Sequence, residues 1–195
     1  MSPRRDCKKH IVQTALRLFS TRGYASTSID EILKETGCGR GSLYHYFPSK
    51  EELGYAVIDE YVRLVAEQGA ASYLRTEGHL IDGLLRVFDS VPDTLNLETG
   101  ESFETGIGAR MAAVHEGFRQ RLATKLAPLA KEFERAVAKA VADGQLVDTV
   151  DPRQLAHFAM VVTYGLHTTR LLGHEQTMPE DARRWMKDYL NSLRK

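Results

Sequence analysis

Residues 39 to 53, GRGSLYHYFPSKEEL, place polar and small side chains close together in a way that burial alone does not require. Groups that can donate to or accept from a base edge or a phosphate occupy much of the stretch: Arg40, Ser42, Tyr44, His45 and Tyr46. Gly41 has no side chain and would let another molecule approach the backbone. This combination indicates contact with a nucleic acid.

The same stretch has a second, apolar face. Leu43 and Phe47 are four residues apart, so they lie on one side of a helix and are expected to point inward. Pro48 ends this helix, because proline disfavours a helical residue before it. Ser49 then caps a further helix, and Lys50 lies in its first turn, where free N–H groups favour a phosphate.

A short turn separates this helix from the one before it. The preceding helix reads SIDEILKET, in which Ser28 and Glu31 form a capping box. The turn, residues 36–39, contains two glycines, and two helices joined in this way predict a helix-turn-helix. In that motif the second helix enters the major groove and presents its N-terminal residues to the bases.

The charge distribution supports this interpretation. The net charge of the 195 residues is zero, yet residues 1–50 carry nine Lys and Arg against four acidic residues. The first fifty residues therefore have a charge of +5 and the rest −5. A basic head on an acidic body is expected when only the head meets phosphate.

The rest of the chain predicts an all-α protein of about nine helices. A three-helix head is joined through a long fourth helix to a larger helical body, and the division lies between residues 1–52 and 53–195. Further helices are predicted at residues 79–90, 103–114 and 116–143, followed by one that Asp151 and Pro152 begin and a last one after Pro179. Strand patterns are nearly absent, and residues 92–102 read as a loop.

From about Ile11 to Val57, a range that includes ALRLFSTRGYASTSIDEILKETGCGRGSLYHYFPSKEELGYAV, the chain resembles the DNA-binding domain of the TetR family of transcriptional regulators. The resemblance implies a nine-helix fold and a homodimer without a cofactor. It also implies a repressor that a small-molecule effector releases from a palindromic operator. Matching positions imply these DNA-facing residues: Ser28, Arg40, Gly41, Ser42, Tyr44, His45, Tyr46 and Lys50.

The turn departs from the family pattern Gly-Val-Ser, because here it reads Gly37-Cys38-Gly39. Gly39 has no hydroxyl to cap the third helix. Cys38 is either a small buried hydrophobe or a thiol whose oxidation or alkylation distorts the turn and releases DNA. The segment SLYHYFPSKEELGYAVIDEY also resembles the electrophile-sensing, NemR/AcuR-like branch, although the body contains no cysteine.

Cys7 and Cys38 are too few for a disulfide scaffold, so free thiols in a reducing compartment are expected. The basic N-terminus is not followed by the apolar segment of a signal peptide, and no apolar run is long enough to span a bilayer. The sequence therefore predicts a cytoplasmic protein.

The body is expected to provide the dimer interface and the effector pocket. The predicted interface comes from the last two helices: Leu155, Phe158, Val162, Leu166 and Trp185. The predicted pocket combines apolar side chains with two polar anchors: Phe88, Phe103, Met111, His115, Phe133, Met160, Tyr164 and His167. For each of these residues, ordinary core packing is an open alternative.

Three other functions compete with a repressor. A helical-bundle enzyme with a carboxylate-bridged metal needs Glu-x-x-His pairs, and the sequence has none. The zinc-protease pattern begins at His115 and His174, but no histidine follows at the required spacing. Within the DNA-binding class, an activator remains an alternative, as does a thiol-responsive regulator acting through Cys38.

Overall fold

The computed structural model describes residues 3–68, 78–90, 95–96, 101–102, 106–171 and 178–195. Within these ranges the protein is almost wholly helical, which confirms the predicted all-α class. No helix in the described ranges is long and apolar enough to cross a membrane. The helices are α1 (Pro3–Arg22), α2 (Ile29–Thr36), α3 (Arg40–Tyr46), α4 (Lys50–Gln68), α5 (Leu80–Ser90), α6 (Gly106–Val114), α7 (Glu116–Ala142), α8 (Pro152–Leu171) and α9 (Met178–Ser192).

The segment expected to be a loop contains a small antiparallel pair. Strands β1 (Leu95–Asn96) and β2 (Glu101–Ser102) pair with Leu95 opposite Ser102. The expectation of no strand there is wrong, because a two-residue ladder is too short to leave an alternating pattern in the sequence. The sequence predicts that the fourth helix continues to residue 74, and the part beyond Gln68 lies outside the described residues.

The chain divides into two compact units. The first contains residues 1–64 and 106–125, and the second contains residues 65–105 and 126–195. Helices α4 and α7 therefore each contribute residues to both units. The functional division after residue 52 stays a prediction, because the compact units group residues by packing rather than by role.

The core of the first unit begins with one face of α1. Ile11, Ala15, Leu18 and Phe19 are fully buried, as their spacing predicts. The later helices add buried apolar side chains to it, namely Ile32 of α2, Leu43 of α3, and Leu53, Val57 and Ile58 of α4.

Helix α6 and the start of α7 complete the first unit. Phe118 of α7 is fully buried, and its ring centroid lies 4.9 Å from that of Tyr24 and 5.1 Å from that of Tyr55. A Cβ atom at Gly54 would lie 2.9 Å from Cε1 of Phe118 and still closer to Cζ. The Arg110 guanidinium also donates to the Ser20 carbonyl at 2.8 Å. A segment distant in the sequence is thus built into the helix-turn-helix unit.

The second unit has its own apolar core. Helices α5, α7, α8 and α9 contribute its buried residues, among them Ile81, Phe88, Phe133, Val137, Ala156, Met186 and Leu190. The predicted start of α8 is confirmed, because the Gln154 N–H donates to Oδ1 of Asp151 at 2.8 Å.

The two cysteines are not free thiols. Cys7 in α1 and Cys38 in the turn are joined by a disulfide, with their Cα atoms 6.2 Å apart. The expectation of free thiols is therefore wrong. Counting cysteines detects disulfide frameworks, but it carries no information on whether tertiary packing brings two residues that are 31 positions apart together.

We expect Gly54→Ala to lower the free energy of unfolding by about 1–3 kcal/mol, because the added methyl group overlaps the buried Phe118 ring. Urea denaturation followed by circular dichroism measures this change. Gly41→Ala is the matched control, since a Cβ there meets nothing within 4 Å. The control should gain about 0.5–1 kcal/mol from helix propensity. Equal stabilities for Gly54→Ala and the wild type would contradict the proposed close packing.

Candidate DNA-binding surface

The turn between α2 and α3 is made by backbone geometry. Gly37 ends α2 in the left-handed conformation (φ 65°), and its N–H donates to the Leu33 carbonyl at 3.0 Å. The Cys38 N–H donates to Oγ1 of Thr36 at 3.3 Å. Gly39 caps α3 without a side-chain hydrogen bond, as expected from the missing hydroxyl.

Helix α3 has a buried face and an exposed face. Leu43 and Phe47 are buried, with 0% and 3% of their surface exposed, as their spacing predicts. The opposite side is exposed, and we call it the outer face of α3: Arg40, Gly41, Ser42, Tyr44 and His45. Tyr44 is 42% exposed, so its ring and hydroxyl are accessible from outside the protein. The outer face is thus free to meet another molecule.

Gly41 has no packing role within the described part of the chain. A glycine inside a helix costs about 1 kcal/mol relative to alanine. A Cβ at Gly41 would meet no atom within 4 Å, so no described contact requires glycine there. Close approach of an external molecule to the α3 backbone would explain the residue.

Arg40 is paired across the turn with Asp30 of α2. Both side chains are largely exposed, at 59% and 71% of their surface. Exposed ion pairs are worth about 0–1 kcal/mol, so this contact restrains the guanidinium only weakly. Arg40 can therefore exchange Asp30 for a phosphate or a guanine.

Ser28 forms the predicted capping box at the start of α2. The Glu31 N–H donates to Oγ of Ser28 at 3.1 Å, and the Ser28 N–H donates to Oε2 of Glu31 at 2.7 Å. Hydrogen bonds from the Ser28 backbone and side chain, together with the nearby Arg22, lower the pKa of Glu31. The hydroxyl of Ser28 is thus already engaged in holding the helix.

Lys50 lies at the start of α4 and leans over the loop between α1 and α2. Its Nζ atom lies 4.5 Å from the centroid of the Tyr24 ring and donates to the Ala25 carbonyl at 3.4 Å. Partial burial lowers the pKa of Lys50, and the charge of Glu31 opposes this effect. The ammonium group is therefore held over the loop between α1 and α2, against Tyr24 and Ala25.

The structure adds one residue that sequence reasoning missed. Nζ of Lys8 in α1 lies 6.0 Å from the ring centroid of Tyr46 and 5.8 Å from that of Phe47. Lys8 belongs to the basic N-terminal run, and the sequence shows only its charge, not that it lies near α3. Tyr46 is half-buried, and its ring centroid lies 5.1 Å from that of His45.

The predicted pocket residues fall into different units. Phe88 and Phe133 are buried in the second core, and Met160 packs against it. Met111 is buried in the first unit, where Nε2 of His115 lies 3.6 Å from Oε1 of Glu51. Phe103 and the side chains of Tyr164 and His167 lie outside the described residues. The pocket assignment stays a prediction.

An open groove of about 430 Å³ lies elsewhere, along α7 and the start of α8. None of the predicted pocket residues lines it. Five of the seven residues that line it are of charged types: Lys131, Glu134, Arg135, Asp151 and Arg153. This lining differs from the apolar cavity that the sequence predicts.

The predicted interface residues are unequally exposed. Leu155 is buried in the second core, Phe158 and Val162 are half-buried, and the side chain of Leu166 is outside the described part. Trp185 is 62% exposed and its ring stacks on that of Tyr189, with centroids 5.6 Å apart. Tyr189 also meets Phe158 edge to face at 5.4 Å. Val161 is 69% exposed. We call Phe158, Val161, Trp185 and Tyr189 the α8–α9 patch.

Comparison with known proteins decides the family. Residues 11–57 match the family described as "Bacterial regulatory proteins, tetR family", and residues 106–186 match "Tetracyclin repressor-like, C-terminal domain". The transcriptional regulator AcuR of Cereibacter sphaeroides is 30% identical over 152 residues, which cover 75% of this chain and 68% of AcuR. The chain belongs to the TetR family of transcriptional regulators. The members of this family are transcriptional regulators and not enzymes.

The chain spans about a third of the length of another curated relative and nearly all of a solved structure. The uncharacterized regulator YxaF of Bacillus subtilis is 46% identical over 59 residues, which cover 30% of this chain and 31% of YxaF. A TetR transcriptional regulator from Chloroflexus aurantiacus has the same fold, with a TM-score of 0.84 at 22% identity. That match covers 100% of this chain and 98% of the other. The predicted fold class is therefore confirmed.

We expect Glu31→Gln to reduce the loss of stability in acid. A carboxylate whose pKa is lower in the folded state stabilises the fold above its unfolded pKa. That contribution disappears as the pH falls through the lower, folded pKa. Melting temperatures measured between about pH 7 and about pH 3 should therefore fall less in Glu31→Gln than in the wild type.

A double-mutant cycle isolates the capping box in this test. In a Ser28→Ala background, the hydrogen bonds of the Ser28 side chain are absent, so Glu31→Gln should change the pH profile less. Superimposable pH profiles for the wild type and Glu31→Gln would contradict the assigned role of Glu31.

Proposed function

We propose that this TetR-family protein is a sequence-specific DNA-binding transcriptional regulator that reads its operator with the outer face of α3. The observation that carries this proposal is the division of α3 into a buried apolar face and an exposed polar one. A seven-residue helix with polar groups at successive exposed positions fits the major groove, where base edges present donors and acceptors.

The side chains around α3 supply the phosphate contacts. Lys50 at the N-terminus of α4 and Lys8 of α1 place positive charge on two sides of the reading helix. Phosphate contacts fix the register of a protein on DNA, and base contacts supply specificity. In this proposal Arg40, Ser42, Tyr44 and His45 read bases or adjacent phosphates, while Gly41 allows the close approach and Tyr46 supports His45.

A homodimer would supply the second reading helix. A palindromic operator presents half-sites about 34–36 Å apart, and a two-fold dimer matches this arrangement. The α8–α9 patch is the surface that we assign to the dimer, because it exposes Trp185 and Val161 together. Leu155 is left out of this surface, since it is buried within its own protomer.

We further propose a repressor, acting in the cytoplasm, that a small molecule releases from DNA. DNA binding is assigned to residues 1–52, and effector binding and dimerisation to residues 53–195. Helices α4 and α7 belong to both compact units, so they are the covalent routes by which effector binding would act on α3. The effector shifts DNA affinity only by as much as it prefers one conformation.

We expect Tyr44→Ala and Lys50→Ala to weaken operator binding by about tenfold each, because each removes a direct contact worth about 1–3 kcal/mol. Fluorescence anisotropy on an operator recovered by selection from random duplexes measures this loss. Lys50→Ala should also reduce the slope of log K against log salt by about 0.9 for each lost phosphate contact.

Two variants serve as controls. Lys131→Ala removes the same charge from α7, in the second unit, and should leave affinity and salt slope unchanged. Gly41→Ala should bind DNA more weakly although its fold is more stable. Weaker binding by this variant would therefore come from a blocked contact with DNA and not from unfolding. Wild-type affinity in both Tyr44→Ala and Lys50→Ala would refute the assigned surface.

We expect Trp185→Glu to raise the dimer dissociation constant by about 30-fold, because truncating a central aromatic anchor costs about 2 kcal/mol. Sedimentation velocity over a dilution series measures the dissociation constant. Arg184→Ala makes the same change in net charge on the same helix and should leave the dimer intact. An unaltered dimer in Trp185→Glu would place the interface elsewhere.

A further inference from the structure

The disulfide between Cys7 and Cys38 joins two parts of the DNA-binding unit. Cys7 lies in the first turns of α1, and Cys38 is the central residue of the turn between α2 and α3. Their Cα atoms are 6.2 Å apart, within the range of about 4.4–6.8 Å that disulfides occupy. Both residues are half-buried.

We infer that Cys7 and Cys38 form a reversible redox site, and that their oxidation holds the reading helix in the arrangement that binds DNA. The inference rests on the proposed function in one respect. A protein that binds cellular DNA works where thiols are kept reduced, and disulfides there are usually transient and redox-sensing.

The turn is the part of the helix-turn-helix that most needs an anchor. Gly37 and Gly39 flank Cys38, and glycine gives the backbone the greatest freedom. Helix α3 starts at Gly39 without a side-chain cap. The bond between Cys38 and α1 excludes conformations that the turn can adopt when the cysteines are reduced. It therefore restricts the position at which α3 begins.

Next to Cys7, at the other end of the bond, a basic side chain lies close to α3. Lys8 follows Cys7, and its ammonium lies about 6 Å from the rings of Tyr46 and Phe47 at the end of α3. Oxidation therefore holds a positive charge beside the C-terminal end of α3, next to Tyr46. Reduction removes this covalent link between α1 and the turn before α3.

A hydroperoxide is the class of oxidant that we assign. The thiolate of one cysteine attacks the peroxide oxygen, which breaks the O–O bond, forms a sulfenic acid and releases an alcohol or water. The thiolate of the other cysteine then attacks that sulfur and displaces hydroxide, which leaves as water on protonation. Two thiols and one hydroperoxide thus give one disulfide, one alcohol or water, and one further water. A dithiol reverses the reaction by exchange.

The first measurement tests the site without DNA. Full-length protein is reduced with dithiothreitol, desalted, treated with hydrogen peroxide, alkylated with iodoacetamide and examined by mass spectrometry. We expect two alkylated cysteines before oxidation and none after it, with a peptide cross-linked between Cys7 and Cys38. The oxidised protein should melt at least about 5 °C above the reduced protein.

The second measurement tests the effect on DNA. Anisotropy on the selected operator should show binding about fivefold tighter for the oxidised than for the reduced protein. Cys7→Ser and Cys38→Ser should both bind like the reduced wild type, whatever the oxidant. Both variants are needed to distinguish a Cys7–Cys38 disulfide from a modification of Cys38 alone. If only Cys38 were modified, DNA binding by Cys7→Ser would still respond to peroxide.

The outcomes separate this inference from the proposed function. Absence of the cross-linked peptide overturns the inference whether or not the protein binds DNA. Equal or weaker DNA binding after oxidation overturns it as well, as does a peroxide response that persists in Cys7→Ser. A protein that forms the disulfide but binds no selected DNA in either state refutes the proposed function instead.

Discussion

The buried ring of Phe118 lies directly against Gly54, and the DNA-binding unit depends on this contact. A side chain at position 54 would overlap the ring, so α7 approaches α4 more closely than any other residue at that position would permit. Tyr24, in the loop that Lys50 covers, packs edge to face on the same ring. The helix that begins at the predicted phosphate contact is therefore positioned by a residue from the middle of the chain.

Electrostatic contacts surround this apolar centre and align the same helices. Arg121 forms a two-point hydrogen bond with Asp59, at 2.6 and 3.0 Å, and Lys125 lies 3.5 Å from the same carboxylate. Burial would raise the pKa of Asp59, but Arg121 and Lys125 outweigh it and lower that pKa. The charge on Asp59 is thus compensated by α7 itself. A displacement of α7 along α4 would break several contacts of the first unit together.

Local features were predictable from the sequence, whereas contacts distant along the chain were not. The Ser28–Glu31 box, the left-handed Gly37 and the buried pair Leu43 and Phe47 depend on hydrogen bonds and helical spacing within four or five residues. The packing of Phe118 on Gly54 and the bond between Cys7 and Cys38 depend on how separate helices meet. No local pattern encodes these contacts. For the same reason the apolar spacing of Phe88 and Phe133 predicted burial but could not distinguish a core from a pocket.

If α3 selects a particular DNA sequence, that sequence should be recovered by selection from a library of random duplexes. Purified full-length protein would be mixed with the library, bound duplexes recovered and amplified, and several rounds sequenced at low and at high salt. The account predicts enrichment of a palindromic motif whose half-sites lie about one helical turn apart, and persistence of that motif at the higher salt. Bound pools without a common motif, lost entirely at the higher salt, would show charge-driven binding only and would contradict the account.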